Sequence, residues 1–352
     1  MLQPSKDVAE DAPLIPPHDK TERGPSHRID DSTSPGPINR DTLVPFVASG
    51  LIAGLTQDLL SPSDKAPPAG ESEVIEPPAK VPAQSGRSEM VQSSTAAPAC
   101  SISWPLKRDV LGVEISVTSY DELCELFVAA AQRHEAVLAS FLPVHGVVTA
   151  AMDSNYRHRI NCFDVIAPDG QPVRWALNWL HKAQLSDRVS GPHMMLCICQ
   201  RAAEQGVGIY LYGSTQDTLD NLRANLEQRF PQLRVLGVES PPFRPLSAEE
   251  NDAVVDRINA SGAGLVFIGL GLPRQDYFAY QNRNRINAVQ LCVGAAFDFH
   301  AGKKKLAPLW MQKTGLEWTY RLLQEPRRLW KRYLVTNTMF VYLMTKRLVR
   351  GV

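Results

Sequence analysis

Four short segments hold the residues best placed for chemistry, because each follows a β-forming run and mixes glycine with polar side chains. Asp169 and Gly170 follow FDVIA; Gly213, Ser214 and Thr215 follow GIYLY; Gly269 through Gln275 follow GLVFI; Gly294 through Asp298 follow AVQLCV. In a parallel sheet, ligands bind beyond the C-terminal strand ends, where small residues let backbone amides and a helix N-terminus approach phosphate. Four such segments in one chain therefore suggest a phosphate-bearing ligand. GLGLPR is not a nicotinamide fingerprint, since Arg274 stands where the third glycine of G-x-G-x-x-G belongs. Walker A, D-x-D, HExxH and paired CxxC patterns do not occur, so the expected chemistry needs no metal. Taken singly, these residues have plainer readings. Pro168-Asp169-Gly170 is a turn signal in its own right, His145 suits a core or capping histidine, Gly269 and Gly271 suit close helix packing, and Arg321, Arg327 and Arg328 suit a solvated helix face.

The elements that must position these segments alternate from about Lys107 onward. Strands are expected at 112–117, 136–142, 164–167, 208–212, 234–238, 264–268 and 288–293, separated by helix-length amphipathic stretches. That alternation indicates an α/β fold, a Rossmann-like and mostly parallel sheet with flanking helices. Ser119 with Glu122, and Ser247 with Glu250, have the S-x-x-E spacing of a reciprocal helix start. Cys197 and Cys199 point to different helix faces, which disfavours a metal site, and six cysteines without close spacing fit reduced thiols.

Composition divides the chain into three parts. Residues 1–105 form a Pro/Ser-rich arm: the first 100 positions hold 15 of the 27 prolines, no Trp, no Tyr and only Phe46 among the phenylalanines. Such a segment buries too little apolar surface to offset ordering entropy, so disorder is expected, apart from a short candidate docking helix within Leu43–Leu60. Residues 106–300 form the catalytic α/β domain. Residues 301–352 form a basic helical appendage in which twelve Lys/Arg face two acids, Glu317 and Glu325, so that it carries +10 in a chain whose 37 basic and 37 acidic residues cancel. There the cations alternate with Trp310, Trp318, Trp330, Tyr333, Phe340 and Tyr342, and the largely apolar run 333–345 is bracketed by Lys331-Arg332 and Lys346-Arg347. That pattern fits an interfacial helix on an anionic membrane better than a nucleic-acid groove. The N-terminus has no signal-peptide pattern, and no apolar run reaches the roughly 20 residues of a bilayer span. A cytoplasmic protein bound peripherally to the inner face of the plasma membrane is expected.

Six blocks stand in order between about Val110 and Tyr333: APDGQPVRWA, DRVSGPHMM, YLYGST, VFIGLGLPRQD, VGAAFDFHAG and WTYRLLQEPRRLWKRY. Together they resemble the WecG/TagA/CpsF family, glycosyltransferase family 26. The resemblance implies a metal-independent, inverting enzyme that moves a sugar from a UDP-sugar to a polyprenyl-diphosphate-linked saccharide in surface or exopolysaccharide synthesis. The donor is then a substrate, and no cofactor is expected. By the same resemblance Asp169 is the general base, Arg321 and Arg328 are catalytic cations over the diphosphate, and Lys331 stands where a further basic residue is expected. Gln275 and Arg188 match substrate-binding positions. His145, Gly170, Gly213, Ser214, Gly269, Gly271, Gly294 and Asp298 complete the expected substrate contacts. The chain departs from the family at Phe141 and Pro143, where Thr or Asn is common and a side-chain hydrogen bond to substrate is lost. The resemblance does not reach the N-terminal arm, which suits either a tether to other assembly proteins or an incidental extension.

Two other functions compete on the same elements: a nicotinamide or flavin oxidoreductase, weakened by the broken fingerprint, and a non-enzymatic membrane adaptor. The donor sugar, the acceptor and a homo-oligomeric state are left open by the sequence.

Overall fold

The computed structural model of the protein describes residues 102–350. The proline-rich arm and its Leu43–Leu60 segment lie outside them. The described chain enters through a hairpin of β1 (Lys107–Val110) and β2 (Val113–Ser116), turned by Leu111 and Gly112, both at positive φ. Two left-handed residues in a two-residue loop match the right-handed twist of the flanking strands. The strand expected over 112–117 is thus half of an antiparallel ribbon, separate from the main sheet.

Six strands form that sheet: β3 (Val137–Leu142), β4 (Val165–Pro168), β5 (Gly208–Gly213), β6 (Arg234–Glu239), β7 (Leu265–Gly269) and β8 (Val289–Cys292). They lie in the order β4-β3-β8-β7-β5-β6, and every neighbouring pair is parallel. The connections carry α1 (Tyr120–Gln132), α2 (Val144–Met152), α3 (Ser154–Asn161), α4 (Gln171–His181), α5 (Gly191–Gln205), α6 (Gln216–Arg229), α7 (Ala248–Ala260), α8 (Arg274–Gln281) and α9 (Ala296–His300). Side chains on a strand alternate between faces, and each face needs its own cover. Along β3, Val137, Ala139 and Phe141 pack in the layer that holds Phe127 of α1, Met194 of α5 and Leu222 of α6. Leu138 and Leu142 enter the opposite layer with Val147 of α2, Ile160 of α3 and Leu177 of α4.

At α7 the reciprocal cap forms in full: the Ser247 side chain accepts from Glu250 N, and Glu250 accepts from Ser247 N. At α1 only half forms. Ser119 accepts from Glu122 N at 3.3 Å, while the Glu122 carboxylate accepts the Thr118 hydroxyl at 2.8 Å.

After α9 come α10 (Leu309–Thr314), α11 (Glu317–Gln324) and the long α12 (Pro326–Arg350). Helix α12 packs along α2 and sends Phe340 and Met344 into the second core layer. Burying each contributes roughly 1.5–3 kcal/mol relative to exposure. Arg347 pairs with Asp109 of β1, which ties the far end of α12 to the hairpin. Among the described residues no helix is long and apolar enough to cross a membrane.

Candidate active site

A cavity of about 1410 Å³ opens where the parallel strands end, and the C-terminal helices form its outer wall. Pro143 follows β3, Asp169 follows β4, Ser214 follows β5, Gly271 follows β7 and Gly294 follows β8, so five strand ends contribute. Of the expected site residues, His145, Asp169, Gly170, Arg188, Ser214, Gly269, Gly271, Gln275, Gly294, Asp298, Arg321, Arg328 and Lys331 all line it. Gly213 does not: it packs behind the wall, where an added Cβ would meet the Gly269 carbonyl carbon at 2.7 Å.

Asp169 is held by backbone geometry. Its N–H donates to Leu142 O at 3.2 Å, extending the β3–β4 pairing, and Gly170 then turns at φ 106° to start α4. The Asp169 side chain keeps 22% exposure, which opens onto the cavity. Burial pushes its carboxyl up to about 6; Arg188 pulls the other way, Glu317 adds to the rise, and Arg321 and the Gly191 amide oppose it. A carboxylate poised near neutrality, partly wet and facing a cleft, can accept a proton.

On the β7 side, Gly271 sits at φ 78° with no atom within 4 Å of where a Cβ would stand, so the backbone there faces open cavity. Gln275 is buried, and its Nε2 donates to Cys292 O at 3.2 Å. Its neighbour Asp276 lies deeper, where its carboxylate accepts the Ser140 hydroxyl at 2.9 Å and the Tyr156 hydroxyl at 2.7 Å. This buried carboxylate, not singled out from the sequence, ties α8 to β3 and α3 and so fixes the first turn of α8, which carries Gln275. Asp298 pairs with Lys304 at 2.8 Å, Lys304 reaches Glu325 at 3.3 Å, and Glu325 holds Arg328 at 2.5 Å.

The appendage supplies the cations. Arg321 lies over the Phe299 ring at 5.1 Å, and Arg328 is 59% exposed at the cavity mouth. Arg332 also lines the cavity, and its Nε has no hydrogen-bond partner among the described residues. Burial lowers its pKa, and Arg328 and Arg321 lower it further. His145, facing Arg332 from α2, is pushed down to about 4, chiefly by burial, so its ring is neutral at pH 7. Arg328 is paired with Glu325 and Arg321 stands 4.0 Å from Glu317, whereas Arg332 has no carboxylate partner among the described residues; three guanidiniums on one cavity wall suit an anionic ligand. Arg188 lines the cavity with 8% side-chain exposure, its guanidinium lying between Asp169, Glu317 and Gln312.

Phe141 and Pro143 line the β3 end, and Pro143 makes no side-chain bond at the start of α2. Glu317, Gln312 and Arg332 are the wall residues that sequence reasoning passed over. Its being one of only two acids in a basic stretch was the available signal for Glu317.

Residues 108–351 match the family described as Glycosyl transferase WecG/TagA/CpsF family. The chain belongs to that family, glycosyltransferase family 26. As a WecG/TagA/CpsF member it is a glycosyltransferase, a transferase of the kind used in cell-surface polymer synthesis. The oxidoreductase alternative falls with that membership. Among the described residues, no three His, Cys, Asp or Glu side chains are grouped to hold a metal ion.

Proposed function

We propose that this glycosyltransferase moves a sugar from a UDP-sugar to a polyprenyl-diphosphate-linked saccharide, with inversion and without a metal. The observation that carries the reading is the pairing, across one cavity, of a half-buried Asp169 near neutrality with Arg321, Arg328 and Arg332 on the facing wall. The acceptor hydroxyl gives its proton to Asp169, and its oxygen forms the new C–O bond at the anomeric carbon. The bond from that carbon to the phosphate oxygen breaks on the opposite face, and its electron pair leaves with UDP. Cations around the departing diphosphate stabilise the charge that develops there. Open backbone at Gly271, together with Gly294 and Ser214, suits the diphosphate, and neutral His145 can hydrogen-bond a sugar hydroxyl.

The lipid end of the acceptor calls for a membrane surface. Trp330, Leu334, Val341 and Leu348 run in one exposed line along α12, and Lys331, Lys346 and Arg350 are exposed on other faces of the same helix. Such a helix can rest on anionic headgroups at a cytoplasmic membrane face. The reading is tested by thermal protection and by product release. UDP should raise the melting temperature and NAD(P) should not, and UDP should be released from a UDP-sugar only when a polyprenyl-diphosphate acceptor is present. Protection by NAD(P) alone would overturn the donor class. UDP protection without release across a panel of sugars and acceptors would make the chain a binding protein.

A further inference from the structure

The Arg188 guanidinium is gripped from two sides. Its Nη1 stands 3.6 Å from Asp169 Oδ1, beyond hydrogen-bond range, whereas Nη2 lies 2.5 Å from Glu317 Oε2 and donates to Gln312 Oε1 at 3.1 Å. Glu317 and Gln312 both come from the C-terminal segment, and Gln312 is itself anchored: its Nε2 donates to Ala307 O at 2.7 Å, and its carbonyl accepts from Gln171 at 3.3 Å. An arginine beside a carboxylate ordinarily closes into a two-point pair, which occupies the lone pairs and weakens the base. Here the appendage holds the cation back. The remaining groups that bear on Asp169 are Arg321, the Tyr120 hydroxyl and the Gly191 amide. Of all these, Glu317 alone is both an anion and a direct partner of Arg188.

We propose that Glu317 is a positioning residue: by taking one side of Arg188 it keeps that guanidinium from closing on Asp169, and so leaves the carboxylate free to accept the acceptor's proton. The proposal rests on the reading of Asp169 as the base. It makes docking of α11 a condition for a competent site, since the anion that frees the base arrives only with that helix.

The test uses the full-length protein and four forms: wild type, Glu317→Gln, Arg188→Gln and the double variant. For each, kcat, KM and the acidic limb of the pH–kcat profile are measured with a UDP-sugar and a soluble polyprenyl-diphosphate acceptor. Glu317→Gln should lower kcat about tenfold, a fraction of what a general base supplies, and move KM by less than about twofold. Its acidic limb should shift to lower pH, because Arg188 then closes on Asp169. In the Arg188→Gln background the same substitution should change kcat much less, since the cation beside Asp169 is gone and only Arg321, at the longer distance of 4.0 Å from Glu317, is left to restrain. An unmoved limb, an effect on KM alone, or an equal loss in the Arg188→Gln background would overturn the proposal. So would a melting temperature lowered by several degrees with the limb unmoved, which would make Glu317 a structural tie. The base reading fails differently: its failure appears as a wild-type profile whose acidic limb Asp169→Asn does not remove.

Discussion

Replacing Asp169 with Asn keeps the side chain's shape and removes its basicity and charge, and the site assigns opposite signs to the two consequences. For turnover, loss of a general base lowers kcat on the order of 100- to 10,000-fold. For stability, the carboxyl is pushed from 3.8 to about 6, first of all by burial. The folded protein therefore disfavours the ionised form. Below pH 3.8 the carboxyl is protonated in both folded and unfolded chains and the penalty is absent; it grows between 3.8 and 6 and is complete above. Its full size is about 3 kcal/mol at 1.36 kcal/mol per pH unit. Asn escapes that penalty but leaves Arg188 with only Glu317 and Gln312, which returns part of it. The variant should melt no lower than wild type at pH 7.5, by up to a few degrees higher, and this advantage should vanish near pH 4. Activity is read as radiolabelled sugar passed to a lipid-linked acceptor, with circular dichroism melts at both pH values. Wild-type kcat should also fall as pH drops through about 6. Retained activity within a few-fold of wild type would refute the base. A lower melting temperature at neutral pH would refute the electrostatic account of the site.

Arg328→Ala should lower turnover on soluble and membrane-bound acceptors alike and leave vesicle binding intact, because the side chain lies at the cavity mouth; equal loss of vesicle binding would make it an anchor. Lys346→Glu with Arg350→Glu should weaken binding to anionic vesicles by about 1 kcal/mol per residue and more at low salt, with soluble-acceptor turnover unchanged. Arg347 is left alone in that test because it pairs with Asp109, so its reversal would also disturb the fold. Phe340→Ala should cost about 3–5 kcal/mol in chemical denaturation, since the ring is 6% exposed within the core layer shared with α2; a loss under 1 kcal/mol would show that α12 is held chiefly by its ion pair.

The parallel sheet was legible because most of its strands are short apolar runs, four of them ending at or within two residues of a glycine, and six of the seven expected runs became its members. The hairpin was not. Its first strand reads KRDV, with three charges in four residues, and its turn is Leu-Gly rather than the Asn-Gly that announces two left-handed positions. Most expected site residues came together because strand ends in a parallel sheet share one edge, a consequence of topology that short motifs encode. Gly213 failed to join them since its lack of a side chain serves contact with Gly269 rather than a ligand. Glu317 and Gln312 were out of reach for a different reason: their partner Arg188 follows β4, far earlier in the chain, and only closure of the appendage brings them together. No local spacing carries that information.

The central claim, sugar transfer from UDP by Asp169 inside this cavity, is tested most directly by the product itself. Purified protein is incubated with a panel of UDP-sugars and a soluble polyprenyl-diphosphate saccharide, and the lipid product is analysed by mass and by the proton coupling at its new anomeric centre. One UDP-sugar should extend the acceptor by a single residue of inverted configuration, in wild type and not in Asp169→Asn. A product of retained configuration, or equal product from the Asn variant, would contradict it.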